Sequence, residues 1–259
     1  MKIIITGAAS GIGRAMAASV AATGTTDKPA ELLLADRDSE KLGIATDEIY
    51  SGHAKGTVKI VARIGDLADP ELPAALVTHA KASFGGLDAI VSNAGVLLPG
   101  MLKDLSLENY NLSFDIHARA TWLLGKAAHP LLCESRGAIV ATASTASEHP
   151  TPPFGTYAAS KAALVMLIRQ MALEWGPDGI RCNCVSPGPT VTGIAVGGMP
   201  LAGLQEKIEK GIPLGRMGSA QDIANAMMFL LSPAASQITG ANLLVDGGLT
   251  TTLMQAAFR

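Results

Sequence analysis

Ile3-Ile4-Ile5-Thr6-Gly7-Ala8-Ala9-Ser10-Gly11-Ile12-Gly13 decides how this chain begins to fold. Three consecutive β-branched apolar residues running into a Thr-Gly pair read as a short strand buried on both faces, and the Ala-rich segment 12–22 behind them favours a helix. Strand, glycine turn and helix in that order build a place for a phosphate. Gly7 permits the tight turn, Gly11 lets backbone approach a pyrophosphate, and Gly13 lets the helix pack close to the strand. The anion would sit against the N–H groups of Ser10, Gly11 and Ile12, where the helix begins and its donors have no intrahelical acceptor. A glycine cluster by itself is often only a turn; the strand before it and the helix after it give this one its weight.

The alternation repeats outward from that turn. Apolar strand segments at 32–35, 58–62, 89–92, 138–143 and 182–186 are separated by helix-length stretches, and a last strand over 242–245 follows a helix over 220–231. The expected fold is α/β, a Rossmann-type doubly wound parallel sheet of about seven strands with helices on both faces. No Ser/Gly linker, composition shift or internal repeat divides the chain, so 1–259 reads as one NAD(P)-binding domain. The Gly/Pro-rich stretch 187–200 and a helix over 201–210 are expected to form a lid over about 187–215.

Composition narrows the function. With 259 residues, 48% of them hydrophobic and 16% charged, the chain buries a sizeable core and is not disordered. A net charge of -2 without runs of like charge argues against nucleic acid and against anionic membrane as partners. No apolar run approaches the roughly 20 residues that cross a bilayer. No secretory pattern is read at the start either, so the expected location is cytoplasmic. Cys133, Cys182 and Cys184 include no CxxC pair, and no His/Asp/Glu cluster has ligand spacing, so neither disulfides nor a metal is expected. Cys182 and Cys184 alternate on a strand and should be buried thiols on one face.

Asp36 ends the second strand 23 positions after Gly13, close to the spacing of about 20 at which an acidic group hydrogen-bonds the adenosine ribose diol. A carboxylate there repels a 2′-phosphate, so NAD is the expected cofactor. NADP stays possible because Arg37 follows and is able to pair with such a phosphate. Asp66 and Leu67 would seat the adenine. Asn93-Ala94-Gly95 would line the cofactor floor, with Asn93 as an ordinary turn residue the alternative.

Tyr157 and Lys161 lie at i and i+4, on one helix face. An ammonium beside a phenol stabilises phenolate, so Tyr157 is expected to have its pKa lowered from about 10 toward working pH and to trade a proton with an alcohol or carbonyl. Ser144, 13 positions earlier, would hydrogen-bond the same substrate oxygen.

In order and from end to end, the stretch 6–13, Asp66, Asn93-Ala94-Gly95, Ser144, Tyr157 with Lys161, Pro187-Gly188 with Thr192, and Asp246-Gly247-Gly248 resemble the short-chain dehydrogenase/reductase family. The resemblance covers essentially the whole chain. It implies that Tyr157 is the general acid/base, that Lys161 lowers its pKa and binds the nicotinamide ribose, and that Ser144 polarises the substrate. It also implies that Pro187, Gly188, Thr190 and Thr192 lie beside the nicotinamide, Thr192 touching its carboxamide. The assembly implied is a homotetramer, or a homodimer, packing helices 106–132 and 154–175, with a second contact through the last strand.

His117 departs from the pattern. It stands where the family usually has an Asn whose main chain holds a water linking the Lys to solvent, and moving the match to Asn111 would spoil the spacing to Ser144. Two roles stay open for His117: a space-filling helix residue, or a relay member titrating near pH 6.5.

The expected activity is interconversion of a secondary alcohol and a ketone. The pocket, framed by 96–98, Thr145, His149, Phe154 and a lid carrying Met199, should suit a hydrophobic, cyclic or aromatic substrate. For His149 itself, a surface loop residue is the favoured reading. Two alternatives remain. One is a 3-oxoacyl-carrier-protein-type ketoreductase, although Asp178 stands where such reductases carry an Arg for the acidic carrier. The other is a non-catalytic NAD(H)-binding sensor, since a fold does not dictate a function.

Overall fold

Along the first strand the side chains of Ile3 and Ile5 pack on one side and that of Ile4 on the other, all with no exposed surface. The same parity runs through Leu32 and Leu34 against Leu33, and through Val91 against Ile90. A strand apolar at every position needs helices on both faces, and the chain supplies them.

The computed structural model describes residues 1–150, 152–192 and 203–252. In chain order the elements are β1 (Lys2–Thr6), α1 (Gly11–Ala21), β2 (Ala30–Asp36), α2 (Ser39–Gly52), β3 (Val58–Ile64), α3 (Leu72–Phe84), β4 (Ala89–Ser92), α4 (Leu107–Phe114), α5 (Ala120–Ser135), β5 (Ala138–Thr142), α6 (Tyr157–Trp175), β6 (Arg181–Pro187), β7 (Thr190–Val191), α7 (Leu204–Gly211), β8 (Gly218–Ser219), α8 (Ala220–Leu231) and β9 (Asn242–Val245). Seven strands pair in parallel in the order β3-β2-β1-β4-β5-β6-β9. One layer packs α1, α2 and α8 on the side of Ile3 and Ile5; the other packs α3, α5 and α6 on the side of Ile4. Cys182 and Cys184 belong to that second layer, both buried, and burial pushes each thiol up to about 12, which makes them inert packing groups.

From β1 the chain runs outward to β2 and β3, then returns to β4 on the other side of β1. That reversal opens a crevice at the carboxyl ends of β1 and β4, where ligands bind in sheets of this kind. Thr6 and Ser92 end the two strands, so the glycine turn and Asn93 face each other across it.

Two local features go beyond the sequence reading, and one expected helix is shifted. The segment expected as one helix over 106–132 is interrupted by a π turn, Asp115–Arg119, closed by the Ala120 N–H on the Asp115 carbonyl. Two-residue β7 and β8 pair beyond the main sheet and anchor the base of the expected lid. The helix expected over 201–210 is seen as α7, Leu204–Gly211. Among the described residues no helix is long and apolar enough to cross a membrane, and no group of three or more His, Cys, Asp or Glu is arranged to hold a metal.

Candidate active site

The glycine turn has no room for side chains. A Cβ on Gly13 would fall 2.0 Å from the Gly7 carbonyl oxygen, and one on Gly7, whose φ is +65°, would fall 2.9 Å from the Ala94 Cα. Gly11, at φ +52°, faces Thr192 across the crevice, with the Thr192 Cβ 3.3 Å from where a Gly11 Cβ would sit. Ser10 precedes α1 in an extended conformation without capping it through its side chain, so the first-turn N–H groups open into the cleft beside Ile12.

Asn93 holds this turn in place. Its Nδ2 donates to the carbonyls of Thr6 and Gly7, both at 3.2 Å, and its Oδ1 accepts from the Thr142 hydroxyl at 2.9 Å. Thr6 Oγ1 accepts in turn from the N–H groups of Asn93 and Ala94, at 3.0 and 3.1 Å. The Asn93 amide is therefore a clamp between β1 and β5, and the cleft wall here is made by the backbone of Asn93, Ala94 and Gly95. The roles of the Thr6 and Thr142 side chains escaped the sequence reading because each works through a strand-end hydroxyl, which no spacing reveals.

At the far end of the cleft Asp36 Oδ2 accepts from the Ala9 N–H and Oδ1 from the Asp38 N–H, each at 3.0 Å. The carboxylate is thereby fixed at the wall. Arg37 is exposed and stands 3.8 Å from Asp66, whose Oδ1 accepts from the Ala68 N–H at 2.9 Å. Leu67 is buried beneath them. Asp38 and Lys41 also line this end as an ion pair at 2.5 Å.

The chemical end is built on α6 and the turn after β5. Lys161 is fully sequestered, and its Nζ donates to the Thr142 carbonyl at 2.7 Å while lying 5.7 Å from the centre of the Tyr157 ring. Burial pulls the ammonium down to about 8. The expectation that Lys161 lowers Tyr157 fails in this state. Burial raises the phenol above its ordinary value, and a hydrogen bond with Ser144 only partly opposes that. Desolvation disfavours the charged form of each group, and their one-face spacing does not reveal it. Ser144 starts a short turn, Thr145–Ser147, with its Oγ accepting from the Ala146 N–H at 3.1 Å.

His117 lies in the π turn, 1% exposed. Its Nε2 accepts from the Val96 N–H at 3.0 Å, its Nδ1 is 2.8 Å from Ser160 Oγ, and its ring meets the Tyr157 ring edge-on at 5.5 Å. Burial first, and the Lys161 charge second, hold the imidazole well below the ordinary histidine range. That direction speaks against a relay role that depends on titration near pH 6.5.

These groups border one cleft of about 820 Å³ reaching from Asp36 to Phe154. Gly7, Ser10, Gly11, Ile12, Asp66, Leu67, Ser144, Thr145, Tyr157, Lys161, Pro187, Gly188, Thr190 and Thr192 all line it. Gly13 acts by packing, and the Thr190 hydroxyl turns back to the Gly188 carbonyl at 2.9 Å. His149 is exposed at the end of the 145–147 turn and is no part of the described wall, in keeping with a surface loop residue. Met199 lies outside the described residues. Leu204 and Ile208 reach the wall from the stretch expected as a lid, whereas Met217 and Leu249 join it without having been anticipated, because they reach the cleft only through the tertiary fold. Asp246 fixes that turn, accepting from the N–H groups of Gly248 and Thr250 at 2.9 and 2.8 Å, and it leaves no space for a Cβ on Gly188.

A model of a family described as Enoyl-(Acyl carrier protein) reductase matches residues 7–250. The chain is 33% identical over 257 residues to the 2,3-dihydro-2,3-dihydroxybenzoate dehydrogenase of Bacillus subtilis, covering 95% of this chain and 94% of that one. It is 36% identical over 252 residues to the 2,5-dichloro-2,5-cyclohexadiene-1,4-diol dehydrogenase of Sphingobium indicum, covering 96% of each. Among solved structures, a short chain dehydrogenase from Burkholderia cenocepacia in complex with NADP superimposes with a TM-score of 0.85 at 31% identity, covering 96% of this chain and 97% of that one.

Proposed function

Because this chain belongs to the short-chain dehydrogenase/reductase family, we propose that it interconverts a secondary alcohol and a ketone with a nicotinamide cofactor, NAD in preference to NADP, and that Tyr157 is its general acid/base. One observation carries the reading: Ser144, Tyr157 and Lys161 border the same cleft as the glycine turn. The cradle fits a dinucleotide, since Gly7 and Gly13 have no space for side chains and the start of α1 opens into the cleft. Asp36, held by two backbone donors, keeps further lone pairs for a ribose diol, which supports NAD; exposed Arg37 leaves NADP as the weaker substrate.

When bound, the nicotinamide supplies or accepts the hydride. The chain's own part is to hold and protonate oxygen. Ser144 and Tyr157 would hydrogen-bond the substrate oxygen, Tyr157 Oη giving its proton as a ketone is reduced and taking one back as an alcohol is oxidised. Lys161, fixed on the Thr142 carbonyl, keeps a positive charge close to the phenol that has to ionise.

The substrate end is apolar along Val96, Leu97, Phe154, Ile208, Met217 and Leu249, and the sequence 193–202 contains no charged residue. That supports a ring alcohol, and the cyclic diols in the names of two relatives, one a carboxylate and one uncharged, are ring alcohols too. The segment 187–215 would act as a lid. Asp178, paired with His129 at 3.0 Å, offers no basic surface to an acidic carrier and speaks against the acyl-carrier reading. A homotetramer is supported by exposed Leu107, Tyr110 and Trp122 on α4 and α5, Met166 and Leu173 on α6, and Leu243 and Leu244 on edge strand β9.

The test is initial rate against cyclic, aryl and sugar-derived secondary alcohols, each with NAD and with NADP. Turnover of a ring alcohol, faster with NAD, is expected. Binding of NADH with no turnover across the panel would instead indicate a sensor.

A further inference from the structure

The π turn Asp115–Arg119 delivers a polar, buried imidazole between two elements that the chemistry needs in register. Nε2 of His117 accepts from the Val96 N–H at 3.0 Å, so that nitrogen carries no proton. In the neutral ring the proton is then on Nδ1, which donates to Ser160 Oγ at 2.8 Å, and the Ser160 hydroxyl donates to the Tyr157 carbonyl at 2.9 Å. Every hydrogen in that chain is used once, and every donor has an acceptor.

The main chain of His117 is tied to the same strand end. Its carbonyl accepts from Thr121 Oγ1 at 2.8 Å, leaving Ser92 Oγ, 2.7 Å away at the end of β4, to donate to Thr121. Gly95 passes so close that a Cβ there would lie 3.2 Å from Nε2.

We propose that His117 is a positioning residue whose imidazole, as the Nδ1–H tautomer, ties the Gly95-Val96 stretch after β4 to the first turn of α6, and so sets the gap between the cofactor floor and Tyr157. The proposal rests on the reading of Tyr157 as general acid/base. It differs from a relay. To pass a proton the ring would have to take one up on Nε2, where the Val96 N–H already points, and would become a second cation facing Lys161. Lys161 and Tyr157, both from α6, are the titratable groups that face it, while Asp115 and Arg119 in its own turn pair with each other at 2.5 Å. It differs also from simple filling. An apolar side chain of similar size would leave the Val96 N–H without its acceptor and the Ser160 hydroxyl without its donor.

Two measurements test this without relying on one another. In protein labelled with 15N-histidine, two-bond nitrogen–proton correlation should find the His117 signals in the Nδ1–H form, with that pattern kept from pH 5.5 to 7, below the range in which Lys161 loses its proton. An Nε2–H tautomer, or a titration in that window, overturns the proposal. The second uses His117→Gln, which keeps an acceptor near Nε2 and loses the Nδ1 donor, and His117→Asn, which does the reverse. His117→Asn should weaken NADH binding, followed by fluorescence, by about tenfold and more than it lowers kcat; His117→Gln should lower kcat by about tenfold and more than it weakens NADH binding. Ser160→Ala added to His117→Gln should cost little more, because one hydrogen-bonded chain is already broken. Both single variants within twofold of the parent in kcat and NADH affinity would overturn the clamp. Absence of alcohol turnover in the parent would sink the functional reading alone, since the tautomer and the NADH titrations report without it.

Discussion

The Gly7 carbonyl oxygen and the Cα of Gly13 approach so closely that a methyl group on Gly13 would stand 2.0 Å from that oxygen. The contact joins the residue after the first strand to the first turn of the first helix, and it seats the start of α1 at the crevice. Backbone on one side and helix on the other leave no flexible side chain to give way.

Gly13→Ala should therefore cost about 3 kcal/mol or more, as strain at a backbone-limited site does, and should remove NADH binding. Thermal unfolding and NADH fluorescence would measure both. Gly43→Ala is the matched control, since that glycine sits inside α2 with nothing within 4 Å. There the same change should stabilise by about 0.5–1 kcal/mol, through helix propensity alone.

Burial raises the Tyr157 phenol above its ordinary value. Alcohol oxidation needs that hydroxyl ionised and ketone reduction needs it protonated. The oxidation rate should thus climb with pH from 6 to 10, while reduction stays level over the lower part of that range. Initial rates in both directions decide this; an oxidation rate already flat above pH 7 would mean that the phenol titrates lower than its burial implies. Tyr157→Phe should lower kcat by about a thousandfold or more while NADH still binds.

Asp36 meets the cleft with a carboxylate fixed by Ala9 and Asp38. Removing its charge in Asp36→Ala should move the ratio of kcat/KM for NAD over NADP toward NADP by about tenfold or more, because the repulsion of a 2′-phosphate disappears and Arg37 remains. An unchanged ratio would remove Asp36 from cofactor choice.

Periodicity and turn chemistry made part of this molecule legible. The strand parity of Ile3, Ile4 and Ile5, the glycine turn and the one-face spacing of Tyr157 and Lys161 are local patterns, and local patterns survive folding. The helix over 220–231 is found at those bounds, its start marked by a capping box of Ser219 and Asp222. What stayed hidden depends on neighbours distant in sequence. Asn93 became a clamp because Thr142, 49 positions away, donates its hydroxyl to the Asn93 amide oxygen. His117 left the ordinary histidine range because the fold buries it beside Lys161, 44 positions away. The direction of the Tyr157 shift turned on desolvation, which depends on how completely the fold closes over the ring.

Lys161 offers the sharpest pH test of that closure. Its pKa falls from 10.5 to about 8 in the folded protein, with burial the main cause. The fold disfavours the charged form, so between those values the unfolded chain binds more protons and stability rises with pH; below about 8 and above 10.5 the term is constant. At about 1.36 kcal/mol per pH unit the full rise is about 3 kcal/mol. Lys161→Met lacks the term, and its lost bond to the Thr142 carbonyl adds only an offset that does not vary with pH. Denaturant unfolding of both proteins at pH 7, 8.5 and 10 should show the stability difference moving toward the parent as pH increases, with other titrations cancelling in the comparison. A difference constant across the three pH values would mean that water reaches the ammonium. The predicted movement would mean that at neutral pH the fold bears a buried charge that lowers its stability and is retained for the chemistry at Tyr157.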